Sequence, residues 1–434
     1  MYLPRSSKWS MNRRRRRPNY FGWAIFVLVV LFGYYFNQVY LPTSPVLAGA
    51  TPTPTRSAES YVTDAEDLFN QGKLTQSIEA YTSAITASPQ NPTLYIALAR
   101  VQVWAGKYTD AEKNAENALL LDNSNSMALA VHAWAMNFQP GRNGEALADI
   151  EQAVEKDPNN PVILSYYVEI LVDSGFDNYQ KAIDLSKVVV ALDPNIVETH
   201  RARGYLLNAT NVDGSNIELA IHEYDEAIKI NPNLGLLYME QGQNYRAISA
   251  RDEAIKAFTV ANTLNPPDPE PDYWISRTYA TFGEYSKALQ YAESAATDAP
   301  SDPKYHGNWG VMFYRNFYYD DAVRELGLAI YGGTTKDGVK VTGVPLTNNT
   351  RISEYYFTMA LALARTNQCG QALEIVQELQ SRVPTDEIAM DAANKSIDIC
   401  QENLNNPPTS TPALPIIPDT ATPTVPAISE TPTP

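Results

Sequence analysis

The chain has 434 residues, of which 44% are hydrophobic and 19% are charged, and its formal net charge is −16. Residues 1–19 hold seven basic residues and no acid, which leaves a charge of −23 on the remainder. A body this acidic would repel a phosphate backbone, so the composition argues against nucleic-acid partners. The chain has two cysteines and no CxxC or Cys/His ligand spacing, which argues against a structural zinc site.

The first segments along the chain predict a membrane anchor. Residues 1–19 form a basic tail, and residues 20–41 are apolar, without a charged side chain. About 20 such residues span a bilayer as one helix. Because basic residues favour the cytoplasmic side, the pattern predicts a single-pass signal-anchor in the cell membrane, with a cytoplasmic N-terminus and an extracytoplasmic body. The aromatic residues that suit the two membrane interfaces are Tyr20, Trp23, Tyr34, Tyr35 and Tyr40.

Two Pro/Thr-rich segments flank the body, at 42–57 and 406–434. Their composition predicts extended, disordered spacers, which are either O-glycan acceptors or unmodified. The small residues Ala48-Gly49-Ala50 leave open a cleaved signal peptide, but they lie more than ten residues beyond the apolar core. An uncleaved anchor is therefore the preferred interpretation.

The middle of the chain repeats a pattern of small and large residues. Large residues such as Tyr245 and Phe258 alternate with small ones such as Gly242 and Ala254, at offsets typical of two short packed helices. A glycine such as Gly106 or Gly283 suits the left-handed turn between the helices. Pairs of Asp or Asn with Pro are expected to end the second helix, and they stand at Asp157-Pro158, Asp193-Pro194, Asn231-Pro232 and Asn265-Pro266.

With its period of about 34 residues, this pattern resembles the tetratricopeptide repeat family. The resemblance covers residues 58–384 and implies an all-α, right-handed superhelical solenoid behind the single transmembrane helix. The nine units it implies are 58–91, 92–125, 126–160, 161–196, 197–233, 234–267, 268–301, 302–331 and 351–384. Ser77 and Asn123 depart from the family pattern in the first two units.

Two further segments accompany the array. Residues 331–350 form an insert, which Asp337-Gly338 predicts to be either a hairpin or an irregular loop. Residues 385–405 are expected to form the capping helix with which such arrays usually end. If this helix folds back, it brings Cys400 towards Cys369 and predicts a disulfide, and two isolated buried thiols are the alternative.

The resemblance also implies a partner-binding groove. In such arrays the first helices line a concave face, and positions two, five, nine and twelve of each unit point into it. Those positions here hold Arg100, Trp134, Arg201, Tyr205, Asn208, Gln243, Arg246, Tyr273, Arg277 and Tyr314. The arginines predict an acidic peptide or protein partner, unless neighbouring Asp and Glu side chains already pair with them.

The sequence contains no catalytic pattern. The four histidines have no metalloprotease spacing, and Gly332 to Lys340 lacks the order of a phosphate-binding loop. The chain is therefore expected to be a scaffold or adaptor, not an enzyme, with no cofactor, no metal and no small-molecule substrate. The alternatives are a structural or wall-associated stalk, a repeat-built hydrolase, and the same array facing the cytoplasm.

Overall fold

The computed structural model describes residues 20–36, 38, 56–211 and 214–405, in two units, Met1–Ser57 and Ala58–Pro434. The basic tail 1–19, most of the linker 42–57 and the Pro/Thr-rich tail 406–434 lie outside the described residues. Predictions for those segments therefore stay predictions.

In the described part of the first unit, the helix is α1 (Tyr20–Tyr35), whose side chains are all exposed. Among the described residues, no helix combines the length and the apolar character that a membrane crossing requires. The transmembrane helix predicted over 20–41 is thus not supported, and residues 37 and 39–41 of that range lie outside the described residues.

The second unit is built from helices, which within the described residues form nine successive pairs and one final helix. This confirms the predicted all-α repeat solenoid. The pairs are α2 (Ala58–Asn70) with α3 (Leu74–Ala87), α4 (Pro92–Trp104) with α5 (Tyr108–Leu121), α6 (Ser126–Asn137) with α7 (Asn143–Lys156), α8 (Pro161–Asp173) with α9 (Tyr179–Leu192), α10 (Val197–Ala209) with α11 (Ser215–Ile230), α12 (Gly235–Ala247) with α13 (Arg251–Leu264), α14 (Pro269–Thr281) with α15 (Tyr285–Asp298), α16 (Pro303–Arg315) with α17 (Tyr319–Tyr331), and α18 (Thr350–Arg365) with α19 (Cys369–Arg382). The final helix is α20 (Glu387–Asn405).

Short polar residues and prolines set the ends of these helices. Four first helices begin with Pro at the first position, after a residue whose side chain accepts a hydrogen bond from the first turn: Asn91, Asn160, Asp268 and Asp302. Proline suits this position because its missing N–H has no partner inside the helix. The second helices α7, α9, α11 and α13 end directly before the Asp-Pro and Asn-Pro pairs, which confirms the predicted stops.

The turns inside the pairs need a left-handed residue. Gly106 and Gly283 supply it with φ of 72° and 78°, as predicted. In the sixth, eighth and ninth pairs a residue with a side chain adopts this conformation instead, at Ser249, Phe317 and Asn367. Asparagine tolerates the left-handed region, but for phenylalanine it is strained, so the turn of the eighth pair is held by its surroundings.

The insert between α17 and α18 is a hairpin. Strands β1 (Gly333–Thr334) and β2 (Lys340–Val341) pair antiparallel, and Gly338 in the turn has φ of 83°. The Tyr356 hydroxyl on α18 donates to the carbonyl oxygen of Val344 at 2.9 Å. The segment that follows the hairpin is thereby fixed to the ninth pair.

Helix α20 covers the last pair. Cys400 is bonded to Cys369 at the start of α19, with the two Cα atoms 5.6 Å apart. At the same end, the Asn403 side chain donates to the carbonyl oxygen of Ala364 at 2.9 Å. Side chains of α20 therefore close an apolar face that would otherwise be exposed.

One contact joins helix pairs that are far apart in sequence. The side chain of Asn233, between α11 and α12, donates to the carbonyl oxygen of Asn70 at 2.7 Å. Gly72, in the turn between α2 and α3, lies so close that an added Cβ would be 2.5 Å from the carbonyl oxygen of Asn233. The first pair thus touches the junction of the fifth and sixth pairs.

Candidate partner-binding groove

The ten predicted groove residues all lie on first helices, from α4 to α16. Their surroundings separate them into two groups. Those on α4, α6 and the first part of α10 face other side chains of the array, whereas those from the end of α10 onward, apart from the buried Tyr273, leave polar groups at the surface.

The first group centres on Arg201, whose side chain is only 1% exposed. Its guanidinium donates to Glu169 on α8 at 2.7 Å and to Glu240 on α12 at 2.6 Å. The indole nitrogen of buried Trp134 donates to Glu169 at 2.8 Å. Burial raises the pKa of Glu169 to about 7, against the opposing pull of Arg201. Each buried charge has a partner, as its desolvation requires.

Two more residues of this group bond within the chain. Arg100 donates to the Tyr166 hydroxyl and to Glu198 at 2.6 Å, across the second, fourth and fifth pairs. The Tyr205 hydroxyl donates to Asp173 at 2.6 Å.

Trp134 and Arg201 therefore need correction as open groove residues because they are buried, whereas Arg100 and Tyr205 stay partly exposed and bond to carboxylates of the array. The polar groups of all four side chains bond to other residues of the array, because carboxylates from neighbouring units converge on this part of the concave face. Tyr273 needs the same correction, since it is 3% exposed and packs edge-on against Tyr305.

The second group borders an open cleft. Asn208, Gln243, Arg246 and Ala247 line a volume of about 320 Å³ between α10 and α12. Three of these four are predicted groove residues. Tyr314, the last predicted residue, lies further along the array, with its ring 5.5 Å from that of Tyr319.

Beside this cleft lies an arginine cluster, formed by Arg246, Arg277 and Arg351. Arg277 and Arg351 both donate to one oxygen of Glu354, at 3.0 Å and 2.5 Å. Within the described residues Arg246 makes no ion pair, and its guanidinium lies 4.8 Å from the ring centre of Trp274. Burial, followed by the charges of Arg277 and Arg351, lowers the pKa of Arg246. Arg277 and Arg351 thus share the Glu354 carboxylate, and among the described residues no carboxylate pairs with Arg246.

Sequence reasoning missed Arg351, Glu354 and Trp274. Helix α18 begins at Thr350, one residue before the unit boundary inferred from the repeat, so Arg351 occupies the second helical position. The insert 331–350 hides this register. Counting from the asparagine cap Asn349, which accepts from the N–H groups of Arg351 and Ile352, would have found it.

One cluster of acidic and histidine side chains lies outside the groove. Among the described residues, Glu112, Glu116 and His132 bring their ligand atoms to within 4.8 Å of one another. They lie on α5 and α6, and none of them belongs to the arginine cluster.

Comparison with known proteins identifies the repeat. Models of the tetratricopeptide repeat match residues 68–135 and 233–303. The chain therefore carries tetratricopeptide repeats in both halves of its helical array.

Three curated proteins are similar to parts of the chain. Cell division cycle protein 27 homolog A of Arabidopsis thaliana is 26% identical over 26% of this chain and 16% of its own length. RNA polymerase II-associated protein 3 of Homo sapiens is 30% identical over 46% of this chain and 26% of its own length. A DnaJ homolog subfamily C member 7 homolog of Dictyostelium discoideum is 25% identical over 49% of this chain and 40% of its own length. The chain thus spans less than half the length of each of these relatives.

Two solved structures share the fold. Human IFIT1 dimers with PPP-AAAA and with m7Gppp-AAAA align with TM-scores of 0.52 and 0.54, at 15% and 13% identity. The alignments cover 80% and 81% of this chain and 84% and 90% of those chains. At such identity the likeness concerns the fold alone.

Proposed function

Because the chain carries tetratricopeptide repeats, we propose that it is a scaffold that binds an acidic peptide or protein segment beside units six to nine. We further propose that its N-terminal segment holds it at the outer face of a membrane. The observation that carries the first proposal is the arginine cluster, in which Arg246 lies half-buried and pairs with no carboxylate of the described residues.

The electrostatics of the cluster favour an anionic partner. Two of its guanidinium groups already share Glu354, whereas Arg246 is desolvated next to like charges. A partially buried cation in such surroundings gains stability from a carboxylate, because charge-assisted hydrogen bonds are roughly twice as strong as neutral ones. An Asp or Glu of a bound peptide supplies that group.

The neighbouring side chains suit a peptide backbone. Asn208 and Gln243 are exposed at the cleft beside Arg246, and their amides both donate and accept hydrogen bonds. Trp274 supplies a rigid aromatic surface next to the guanidinium. An extended segment with an acidic residue therefore finds both charge and backbone partners here.

Peptide binding by variants tests this proposal. Fluorescence anisotropy is measured with a library of acidic peptides and with neutral versions of the same sequences. The triple variant R246Q/R277Q/R351Q is expected to lose at least tenfold in affinity, and binding by the wild type is expected to weaken as salt rises.

The matched control removes three cations elsewhere on the array. K187Q/K229Q/K287Q deletes exposed lysines that pair with carboxylates three residues before them, so it changes the net charge equally. Equal losses for the two triple variants would attribute binding to bulk charge and contradict the proposed site. Displacement of the acidic peptide by its neutral version would contradict it as well.

The membrane proposal depends on different features. The apolar, exposed residues of α1 follow a basic tail, and the Cys369–Cys400 bond suits an oxidising compartment outside the cytoplasm. Surface protease treatment of intact cells carrying a C-terminally tagged chain tests the topology. We expect loss of the tag from a membrane-fraction protein, and a tag protected until lysis would contradict an outward-facing array.

The stalk alternative is separable by experiment. Co-sedimentation with cell-wall fragments is measured for the full chain and for the arginine triple variant. Wall binding that survives in the triple variant, together with absent peptide binding, would favour a structural stalk over the scaffold.

A further inference from the structure

We propose that Glu112, Glu116 and His132 form a binding site for a divalent transition-metal ion of the zinc type, which would join the second helix pair to the third. Glu112 and Glu116 are four residues apart on α5, so they share one face of that helix. His132 projects from α6, the next helix along the chain. Their ligand atoms lie within 4.8 Å of one another.

The ring of His132 is already oriented as a metal ligand requires. Its Nδ1 contacts Asp149 Oδ2 at 2.7 Å, a carboxylate contact that leaves Nε2 as the ligand atom. That Nε2 is buried and has no hydrogen-bond partner, while it faces Glu112 at 4.0 Å and Glu116 at 3.8 Å. These separations exceed a hydrogen bond and leave room for an ion between the three groups.

Comparison with the other buried histidines strengthens the assignment. In His200 and His306 both ring nitrogens have partners, a carboxylate at Nδ1 and a proline carbonyl oxygen at Nε2. Within the part of the chain that the structure describes, His132 makes the carboxylate contact at Nδ1 and no hydrogen bond at Nε2. A buried nitrogen without a partner is costly, and a metal ion at this point would satisfy it.

The carboxylates also have the outer contacts that order a metal site. Glu112 accepts hydrogen bonds from Gln139 at 2.7 Å and from Arg142 at 2.9 Å, so its side chain is held in place. Glu116 is 56% exposed and free to turn towards the ion, which closes the distance that ligand bonds of about 2.0–2.2 Å demand. Arg142 carries one positive charge, against the carboxylates of Glu112, Glu116 and Asp149.

The ligand set indicates the class of metal. One imidazole nitrogen and two carboxylate oxygens suit zinc and its first-row neighbours better than calcium or magnesium, which prefer oxygen ligands alone. Three protein ligands leave a fourth position for water. In this arrangement the ion would act as a clamp between α5 and α6.

Isothermal titration of Zn²⁺ into the full, chelator-treated chain without a histidine tag tests the proposal. One ion is expected to bind per chain and to raise the melting temperature. H132N is expected to abolish binding. E116Q changes an exposed residue whose loss leaves the fold intact, and it is expected to weaken binding at least tenfold.

Two further variants give the experiment its controls. D149N alters only the outer contact of the histidine and is expected to weaken binding by about ten- to hundredfold. H222N removes an exposed histidine that lies 3.7 Å from Glu226 on the same helix, and it is expected to bind Zn²⁺ like the wild type. Equal binding by wild type and E116Q, or no binding by the wild type, would overturn the site.

Discussion

A guanidinium group is stable inside a protein only where carboxylates or aromatic rings surround it, and the arginines of this array differ in that respect. Arg201 has two glutamates and lies 5.5 Å and 5.7 Å from the rings of Trp104 and Trp134. Arg246 has one aromatic ring and two like charges. The charge of Arg201 is therefore compensated inside the fold, whereas the proposed function assigns the compensation of Arg246 to a partner.

Removal of Arg201 should therefore be severe. R201Q leaves Glu169 and Glu240 buried without their shared cation, so we expect a loss of about 3–5 kcal/mol in the free energy of unfolding. Urea denaturation followed by circular dichroism measures it. The exposed pair of Arg382 and Glu378 gives the control, since R382Q should cost less than about 1 kcal/mol. Similar losses in both variants would contradict the buried network.

His200 should make stability depend on pH. Its contact with Glu223, together with that to the Pro194 carbonyl oxygen, raises the pKa of His200. The stabilisation is fully present below the unfolded pKa of about 6.5, and it is lost as pH rises through the higher folded pKa.

Between pH 6.5 and 8 the wild type should lose stability more steeply than H200Q. The difference in slope is at most about 1.4 kcal/mol per pH unit, since one proton is involved. Denaturation midpoints across this range measure the slope, with the exposed His222 mutated to Gln as the control. Parallel curves for wild type and H200Q would show that the contact does not favour the protonated ring.

Within a helix pair, some glycines lie where the partner helix leaves no room for a Cβ atom, and others lie where a Cβ atom would meet nothing. A Cβ at Gly242 would lie 2.6 Å from the ring of Phe258, which is fully buried and has no room to move. At Gly144, near the start of α7, an added Cβ meets nothing within 4 Å. The same substitution should therefore have opposite effects at the two sites.

G242A is expected to destabilise the protein by about 1–3 kcal/mol through overpacking. G144A is expected to leave stability unchanged or to increase it by up to about 1 kcal/mol, because alanine favours helix. Thermal denaturation of both variants measures the contrast. A harmless G242A would mean that α12 and α13 are not packed as closely as described.

Local rules predicted much of each element. Asp and Asn before proline fixed helix ends, and Gly106 and Gly283 fixed turns, because these depend on residues within one turn of chain. Which residues line an open groove was harder to predict from the sequence. Arg201 meets carboxylates 32 and 39 residues away, and which side chains meet there depends on the rotation between successive pairs. The repeat period does not specify that rotation.

Across the whole array, contacts between distant pairs add to those between neighbours. In an ideal solenoid each repeat touches only the next, and stability is a sum of local terms. Here Asn233 bonds to Asn70, and Arg100 bonds to Glu198, 98 residues away. These contacts couple the first five pairs, so that part of the array should unfold more cooperatively than a linear stack.

Two glycines with the same backbone conformation test this coupling. Gly72 and Gly106 have φ of 74° and 72°, but an added Cβ meets Asn233 only at Gly72. G72A should therefore cost at least about 1 kcal/mol more than G106A and increase the radius of gyration. Urea denaturation and small-angle X-ray scattering measure both effects. Equal behaviour of the two variants would mean that the contact contributes nothing in solution.

The bond between Cys369 and Cys400 has a mechanical consequence. If the chain is pulled from both ends of the array, the load passes through the disulfide and bypasses the 31-residue separation between the two cysteines. That stretch contains α19 and most of α20. It adds no contour length to the pulled chain, even after every helix has unfolded. At about 3.4 Å per residue, reduction of the bond would release about 105 Å of additional contour length. The disulfide thus limits how far the C-terminal end of the array extends under force.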